Sequence, residues 1–181
     1  MKLIILDRDG VINEDSDAYI KSPEELVPIP GAPEAIARLG RAGYRVVVAT
    51  NQSGVARGLF DLDTLGKIHA RLQREVTAVG GHIDAILFCP HGPDDGCRCR
   101  KPLPGLLEEA GRRLGVSLTG VPVVGDSLRD LEAARAVHAR PILVRTGKGE
   151  RTLKAAKGLT GVPVYRDLGE AVETLLAREE A

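Results

Sequence analysis

At 181 residues and 43% hydrophobic content, the chain has the length of one α/β domain, since domains commonly run about 100–200 residues, and leaves no room for a large separate lid. Its 25 Lys+Arg balance 25 Asp+Glu, so no global field draws it to DNA, RNA or an acidic membrane. Aromatics at 3% with no Trp leave little to stack on bases, which argues further against a nucleic-acid partner.

The first strand is predicted at Leu3–Leu6, and the acids that come next at Asp7 and Asp9 cut its apolar stretch short of signal-peptide length. With no run of about 18 apolar residues anywhere, no membrane partner and a cytoplasmic location are expected. Asp15–Pro30 fits neither helical nor strand period and reads as a long loop. A helix from Pro33 to about Ala42, a strand at Tyr44–Ala49, a helix from Asp61 to Val79 and a strand at Ala85–Cys89 come after it. After a second long loop, Pro90–Pro104, come a helix to Leu114, a strand at Val121–Gly125, a helix from Arg129 to Val137 and a strand at Pro141–Arg145. Gly147–Lys157 reads as a basic, helix-forming surface segment, before a weaker strand near Pro163–Tyr165 and a helix from Leu168 to Ala177. The strands are almost continuously hydrophobic, as in a mainly parallel sheet covered on both faces, and most helices start near Pro or Asp and stop near Gly. No repeat or boundary divides residues 1–181, which are read as one domain, expected as a monomer.

In an open parallel sheet, ligands bind beyond the carboxyl ends of the strands. Those ends here carry Asp7-Arg8-Asp9-Gly10, Thr50-Asn51-Gln52-Ser53-Gly54, Cys89-Pro90-His91 and Gly125-Asp126-Ser127. Taken singly, each has a plain reading: Asp-Gly and Gly-Asp are turn chemistry, Asp126 caps a helix, and Lys101 is a solvated lysine. Together they converge on one edge, where Asp7, Asp9 and Asp126 make a hard oxygen site suited to Mg²⁺ and a phosphate. A separate cluster, Cys89, His91, Cys97 and Cys99, supplies three thiolates and an imidazole within eleven residues, one tetrahedral Zn²⁺ set. Reduced buried thiols, or a disulfide between near neighbours, compete with that reading. His69, His82 and His138 lie on helical or flanking segments and read as packing or surface residues.

Asp7-Arg8-Asp9-Gly10-Val11-Ile12-Asn13, Thr50-Asn51-Gln52-Ser53, Arg100-Lys101-Pro102 and Gly125-Asp126-Ser127-Leu128-Arg129-Asp130 resemble, in order, the four motifs of the haloacid-dehalogenase-like (HAD) phosphohydrolases. Within that superfamily the pattern is most similar to the small, nearly capless heptose-bisphosphate phosphatases and the related histidinol-phosphate phosphatases. The resemblance implies a Rossmann-like HAD fold with a minimal cap and a zinc-binding loop. It implies that Asp7 attacks phosphorus to form an aspartyl-phosphate and that Asp9 protonates the leaving oxygen and then activates water, a two-way role suited to a carboxyl titrating near the working pH. Thr50 and Lys101 would hold the phosphoryl oxygens. Mg²⁺ would be held by Asp7, Asp126 and the backbone carbonyl of Asp9, with Asp130 behind them. Zinc would be architectural, setting the reach of Arg100 and Lys101.

For the substrate, Asn13, Asp15, Asn51, Gln52, Ser53, Arg57 and Arg100 are expected to rim the same edge. Amides, hydroxyls and acids suit a polyhydroxylated ligand, and Arg57 or Arg100 can fork onto a second phosphate, so a small phosphorylated sugar is the expected partner. Two other classes compete. A phospho-accepting signalling module shares most of these residues but has no need of Asp9, and a zinc-loop binding module needs none of the carboxylates.

Overall fold

The computed structural model describes residues 1–179, so Glu180 and Ala181, at the end of the expected domain, lie outside the described residues. In chain order the elements are β1 (Lys2–Leu6), α1 (Ala32–Arg41), β2 (Tyr44–Asn51), α2 (Leu62–Ala78), β3 (Ala85–Cys89), α3 (Gly105–Leu114), β4 (Pro122–Gly125), α4 (Leu128–Ala136), β5 (Arg140–Val144), α5 (Gly149–Ala155), β6 (Val164–Tyr165) and α6 (Leu168–Glu179). The strands form one six-stranded sheet, order β3-β2-β1-β4-β5-β6, parallel at every pairing. Strand alternation sorts the core: Ile4, Leu6, Val46 and Val48 pack with α1, α2 and α6, while Leu3, Ile5, Val47 and Ala49 pack with α3 and α4. This is the expected Rossmann-like arrangement.

The winding direction reverses between β1 and β4, and a reversal of that kind opens a crevice at the carboxyl ends of the two strands. Segments 7–31 and 52–61, after β1 and β2, hold no inserted cap domain, only a short 3-10 turn at Pro23–Glu25. Segment 15–30 nevertheless packs tightly. Ile20, Leu26 and Ile29 are buried, sealing the end of the core rather than one face of an element, which is why their spacing shows no period. The helix-forming segment Gly147–Lys157 holds helix α5 at Gly149–Ala155, and β2 continues past the expected Ala49 to Asn51. No helix among the described residues is long and apolar enough to cross a membrane.

Candidate active site

Asp7 directly follows β1, and its backbone N–H donates to Val124 O at 2.9 Å, tying the end of β1 to β4. Asp126 directly follows β4. Gly10 (φ 81°) and Gly147 (φ 57°) close around it: a Cβ on either would overlap Asp126 Oδ2, which accepts the Lys148 backbone N–H at 2.8 Å. One carboxylate oxygen from each of Asp7, Asp126 and Asp130 lies within 4.8 Å of the other two. The Asp9 carboxylate is not in this cluster.

Lys101 sets its ammonium among these acids. Buried, it donates to Asp130 Oδ1 and to Ala49 O, each at 2.7 Å, and forms an ion pair with Asp7 Oδ1 at 3.0 Å. Asn51 grips the Lys101 peptide from both sides, Nδ2 donating to Lys101 O and Oδ1 accepting from Lys101 N, each at 3.0 Å. Asp130, in the first turn of α4, reaches back with Oδ2 to accept from Ser127 N and Oγ at 3.1 and 2.9 Å.

Among the described residues, Lys101 alone pairs directly with these three buried carboxylates, with Lys148 acting on Asp126 from its backbone N–H and its charge, so the cluster keeps surplus negative charge. Burial, reinforced by Asp130, pushes Asp7 up to about 7, and burial with repulsion from Asp7 pushes Asp126 up to about 8. For Asp130, burial is overcome by the Lys101 charge and hydrogen bond, which hold it below the usual carboxylate range. Burial likewise loses at Lys101, held above an ordinary lysine by Asp130 and Asp7. Hard oxygen donors with unspent negative charge fit a Mg²⁺ ion at Asp7 and Asp126.

Asp9 lies in the turn after Asp7 and has the opposite environment. Its Oδ1 accepts from Arg8 Nε (3.0 Å), Arg8 Nη2 (2.8 Å) and Asn13 Nδ2 (2.9 Å), and its Oδ2 accepts from Gln52 Nε2 at 3.0 Å. Burial would raise its pKa, but these donors, Arg8 foremost, hold it below the usual carboxylate range. The expectation that Asp9 titrates near the working pH is thereby corrected for this conformation. Thr50 Oγ1 accepts from the same Gln52 amide at 3.0 Å.

These groups line a cavity of about 310 Å³. Of the expected substrate contacts, Asp15, Asn51, Gln52, Ser53, Arg57 and Arg100 line it. Asn13 does not: it is fully buried, with Nδ2 spent on Asp9 and on Glu14 O, so its expected substrate contact is replaced by a grip on Asp9. Arg129 and Lys148, not expected from the sequence, also line the cavity, and Lys148 Nζ reaches Asp15 Oδ2 at 2.7 Å. Lys148 was findable, because it comes after β5 as the other site residues come after their strands. Arg8 was not: an arginine between two acids reads as a solvated neighbour, yet it is completely buried, its Nη1 3.1 Å from His69 Nε2.

In the loop after β3, His91 Nδ1 lies 3.5 Å from Cys89 Sγ and 3.4 Å from Cys99 Sγ, and Cys89 Sγ lies 3.6 Å from Cys97 Sγ. A tetrahedral zinc with bonds of about 2.3 Å to sulfur and 2.0 Å to nitrogen implies donor separations of roughly 3.5–3.8 Å, so the cluster is compatible with that ion. The three thiols are free, and the 3.6 Å gap is far beyond the about 2.05 Å of a disulfide.

The HAD-hydrolase-like family model matches residues 98–171, which carry Lys101, Asp126 and Asp130. Over 176 residues the chain is 57% identical to D-glycero-beta-D-manno-heptose-1,7-bisphosphate 7-phosphatase of Bordetella bronchiseptica, covering 97% of this chain and 98% of that one. The chain belongs to this family of HAD-like phosphatases. The Pseudomonas aeruginosa enzyme of the same name is 57% identical over 175 residues, covering 96% and 97% of the two chains. Among solved structures, the D,D-heptose 1,7-bisphosphate phosphatase of B. bronchiseptica, complexed with magnesium and phosphate, superposes with a TM-score of 0.95 at 58% identity over the full length of both chains. Its counterpart from Burkholderia thailandensis gives 0.78 at 46% identity, covering 98% and 99%. The family's fold is therefore this chain's fold, and the acidic cavity lies where β1 and β4 meet.

Proposed function

We propose that the protein is a Mg²⁺-dependent phosphatase that removes the C7 phosphate of D-glycero-D-manno-heptose 1,7-bisphosphate. One observation carries the chemistry: Asp7 faces Lys101 at 3.0 Å while Asp126 and Asp130 crowd the same point. Asp7 attacks phosphorus, the bond to the sugar oxygen breaks, and an aspartyl-phosphate forms. Asp9, held ionised by its own donors before substrate binds, takes up a proton as the negatively charged phosphate arrives, gives it to the departing oxygen and later takes one from water, which frees Asp7 and phosphate. Lys101 and Thr50 hold the phosphoryl oxygens where charge spreads. A Mg²⁺ ion held by Asp7, Asp126 and the Asp9 carbonyl would neutralise the charge that keeps two anions apart.

The rim supports a sugar bisphosphate over histidinol phosphate. Of the groups that could grip an amine or imidazole, Glu14, Asp15 and Tyr19, the first is exposed and outside the cavity lining, Asp15 is held by Lys148, and the Tyr19 ring is covered by Arg57, whose guanidinium sits 5.8 Å above it. Among the described residues, Arg57, Arg100 and Arg129 line the cavity without a carboxylate partner, as a second phosphate requires. In the adjoining loop we assign zinc to Cys89, His91, Cys97 and Cys99 as a structural ion, since four protein ligands leave no place for substrate. The test is phosphate release with Mg²⁺ across heptose bisphosphate, other sugar bisphosphates, histidinol phosphate and nucleotides. The expected result is the highest kcat/KM on heptose bisphosphate. Preference for histidinol phosphate would overturn the substrate, and no release from any of them the reaction.

A further inference from the structure

Arg8 contributes one of the largest fully buried side chains in the protein, in a chain whose other arginines are mostly exposed. A guanidinium loses its hydration when buried and needs an acceptor for each of its faces. Here Nε and Nη2 both donate to one oxygen, Asp9 Oδ1, and Nη1 meets His69 Nε2 at 3.1 Å. His69 comes from the middle of α2, nine-tenths buried and tilted 51° against Phe88 at 6.0 Å. Burial and the neighbouring Arg8 charge push its pKa down to about 3, so its Nε2 is a neutral acceptor for the Arg8 hydrogen. The row His69, Arg8, Asp9 thus runs from a helix of the core to the cavity wall. Its last link is asymmetric: three donors fix Asp9 Oδ1, and among the described residues only Gln52 donates a hydrogen bond to Oδ2.

We propose that Arg8, braced from behind by His69, is a positioning residue that anchors Asp9 through Oδ1 and leaves Oδ2 as the oxygen that exchanges the proton with the leaving group. This rests on Asp9 being the general acid. In that step the phosphorus–oxygen bond breaks, its electron pair stays on the departing oxygen, and that oxygen takes the Asp9 proton. Its weight depends on the leaving group: an alkoxide needs the proton, whereas nitrophenolate leaves readily without it. A misplaced Asp9 should therefore slow alkyl phosphates and spare aryl phosphates, a pattern that general loss of structure does not produce.

The measurement is kcat/KM, which covers steps through departure of the leaving group, for an alkyl sugar bisphosphate and for p-nitrophenyl phosphate, taken as a ratio. His69→Leu removes the acceptor. It should lower the alkyl-to-aryl ratio about tenfold or more, in line with the cost of displacing a catalytic group by about an ångström. His69→Gln, whose amide oxygen can stand where Nε2 stood, should return the ratio to within about threefold of wild type, less than the tenfold loss of a misplaced group. Arg8→Lys keeps the charge but cannot span Asp9 and His69; it should lower the ratio like His69→Leu and serves in its place if that variant does not fold. Asp9→Asn separates the two readings. If it leaves the ratio unchanged, Asp9 is not the acid and the inference falls with it. If it collapses the ratio while His69→Leu and Arg8→Lys do not, Asp9 keeps its role and the positioning inference is overturned.

Discussion

The acidic cavity and the Cys/His loop are neighbours in the fold and opposites in design. In the cavity, Asp7, Asp126 and Asp130 crowd within 4.8 Å of one another, and burial together with their mutual repulsion holds Asp7 and Asp126 far above their ordinary pKa. In the loop, Cys89, His91, Cys97 and Cys99 each offer a donor atom within 4.8 Å of the others, and three of those separations, 3.4–3.6 Å, are compatible with a tetrahedral zinc set. The difference teaches how to tell a working site from a structural one. The first is left with surplus negative charge, which favours a cation, and the bound cation in turn offsets the repulsion between the acids and a phosphoryl group. The second, on the zinc reading proposed above, would be complete once its ion is bound and would act by holding Arg100 and Lys101 in place.

Removing the proposed nucleophile should sharpen that contrast most. Asp7→Asn is expected to cut turnover by about 10⁴-fold or more. Its Tm should hold or rise, because the change deletes one charge from a self-repelling cluster. A fall in both would make Asp7 a structural residue. Lys101→Ala should be next, lowering kcat by about 10²–10³-fold, the usual cost of losing one donor to a developing oxyanion. Unlike Asp7→Asn it should also destabilise the fold, by about 3–5 kcal/mol, because Asp130 is left buried without its cation. Urea unfolding beside phosphate release separates the two effects.

In the loop the expected effects are smaller. Cys97→Ser, or a zinc-selective chelator, should lower kcat about tenfold through slack in Lys101 while leaving Mg²⁺ affinity within a factor of two, since outer supports of a site commonly act at the 10–100-fold level. An unchanged rate after metal analysis proves zinc absent would remove the loop's positioning role.

The smallest effect is in pH. Without metal, folded Asp7 and Asp126 keep protons up to about pH 7 and 8, whereas the unfolded chain loses them near 3.8. A carboxyl raised on folding contributes stability that is full at the acid end and is lost as pH rises, so the Tm of the metal-free protein should decline from about pH 5 to pH 8. Mg²⁺ replaces those protons, and its Tm increase should be larger at pH 8 than at pH 6. An equal increase at both would mean that the ion binds elsewhere.

Much of this contrast was legible in the sequence. The strands are long enough in β-branched residues to be read directly, and a site at the carboxyl edge of a parallel sheet draws on the few residues just past each strand end. That rule reaches Asp7, Thr50 and Asp126, and the crowding of three cysteines and a histidine reaches the loop. It fails where a side chain's direction depends on the path of an irregular segment. Asn13 reads as a rim residue because it is polar and close to Asp9, yet the turn after Asp9 carries it inward. Arg8 and His69 are 61 positions apart, and nothing in either one's surroundings along the chain announces the other. Helix α5 reads as surface because it has few apolar residues; what fixes it is Thr152 Oγ1 donating to Asp126 O at 2.8 Å, a contact only the fold creates.

The central claim is that Asp7 is transiently phosphorylated. Acid quenching during turnover of heptose bisphosphate, with peptide mass analysis of the quenched protein, tests it most directly. A single phosphoryl group on Asp7, removed by hydroxylamine and missing from Asp7→Asn, is the expected result. Brisk turnover with Asp7 unmodified at every quench time, in a protein whose Asp7→Asn variant still releases phosphate, would contradict it.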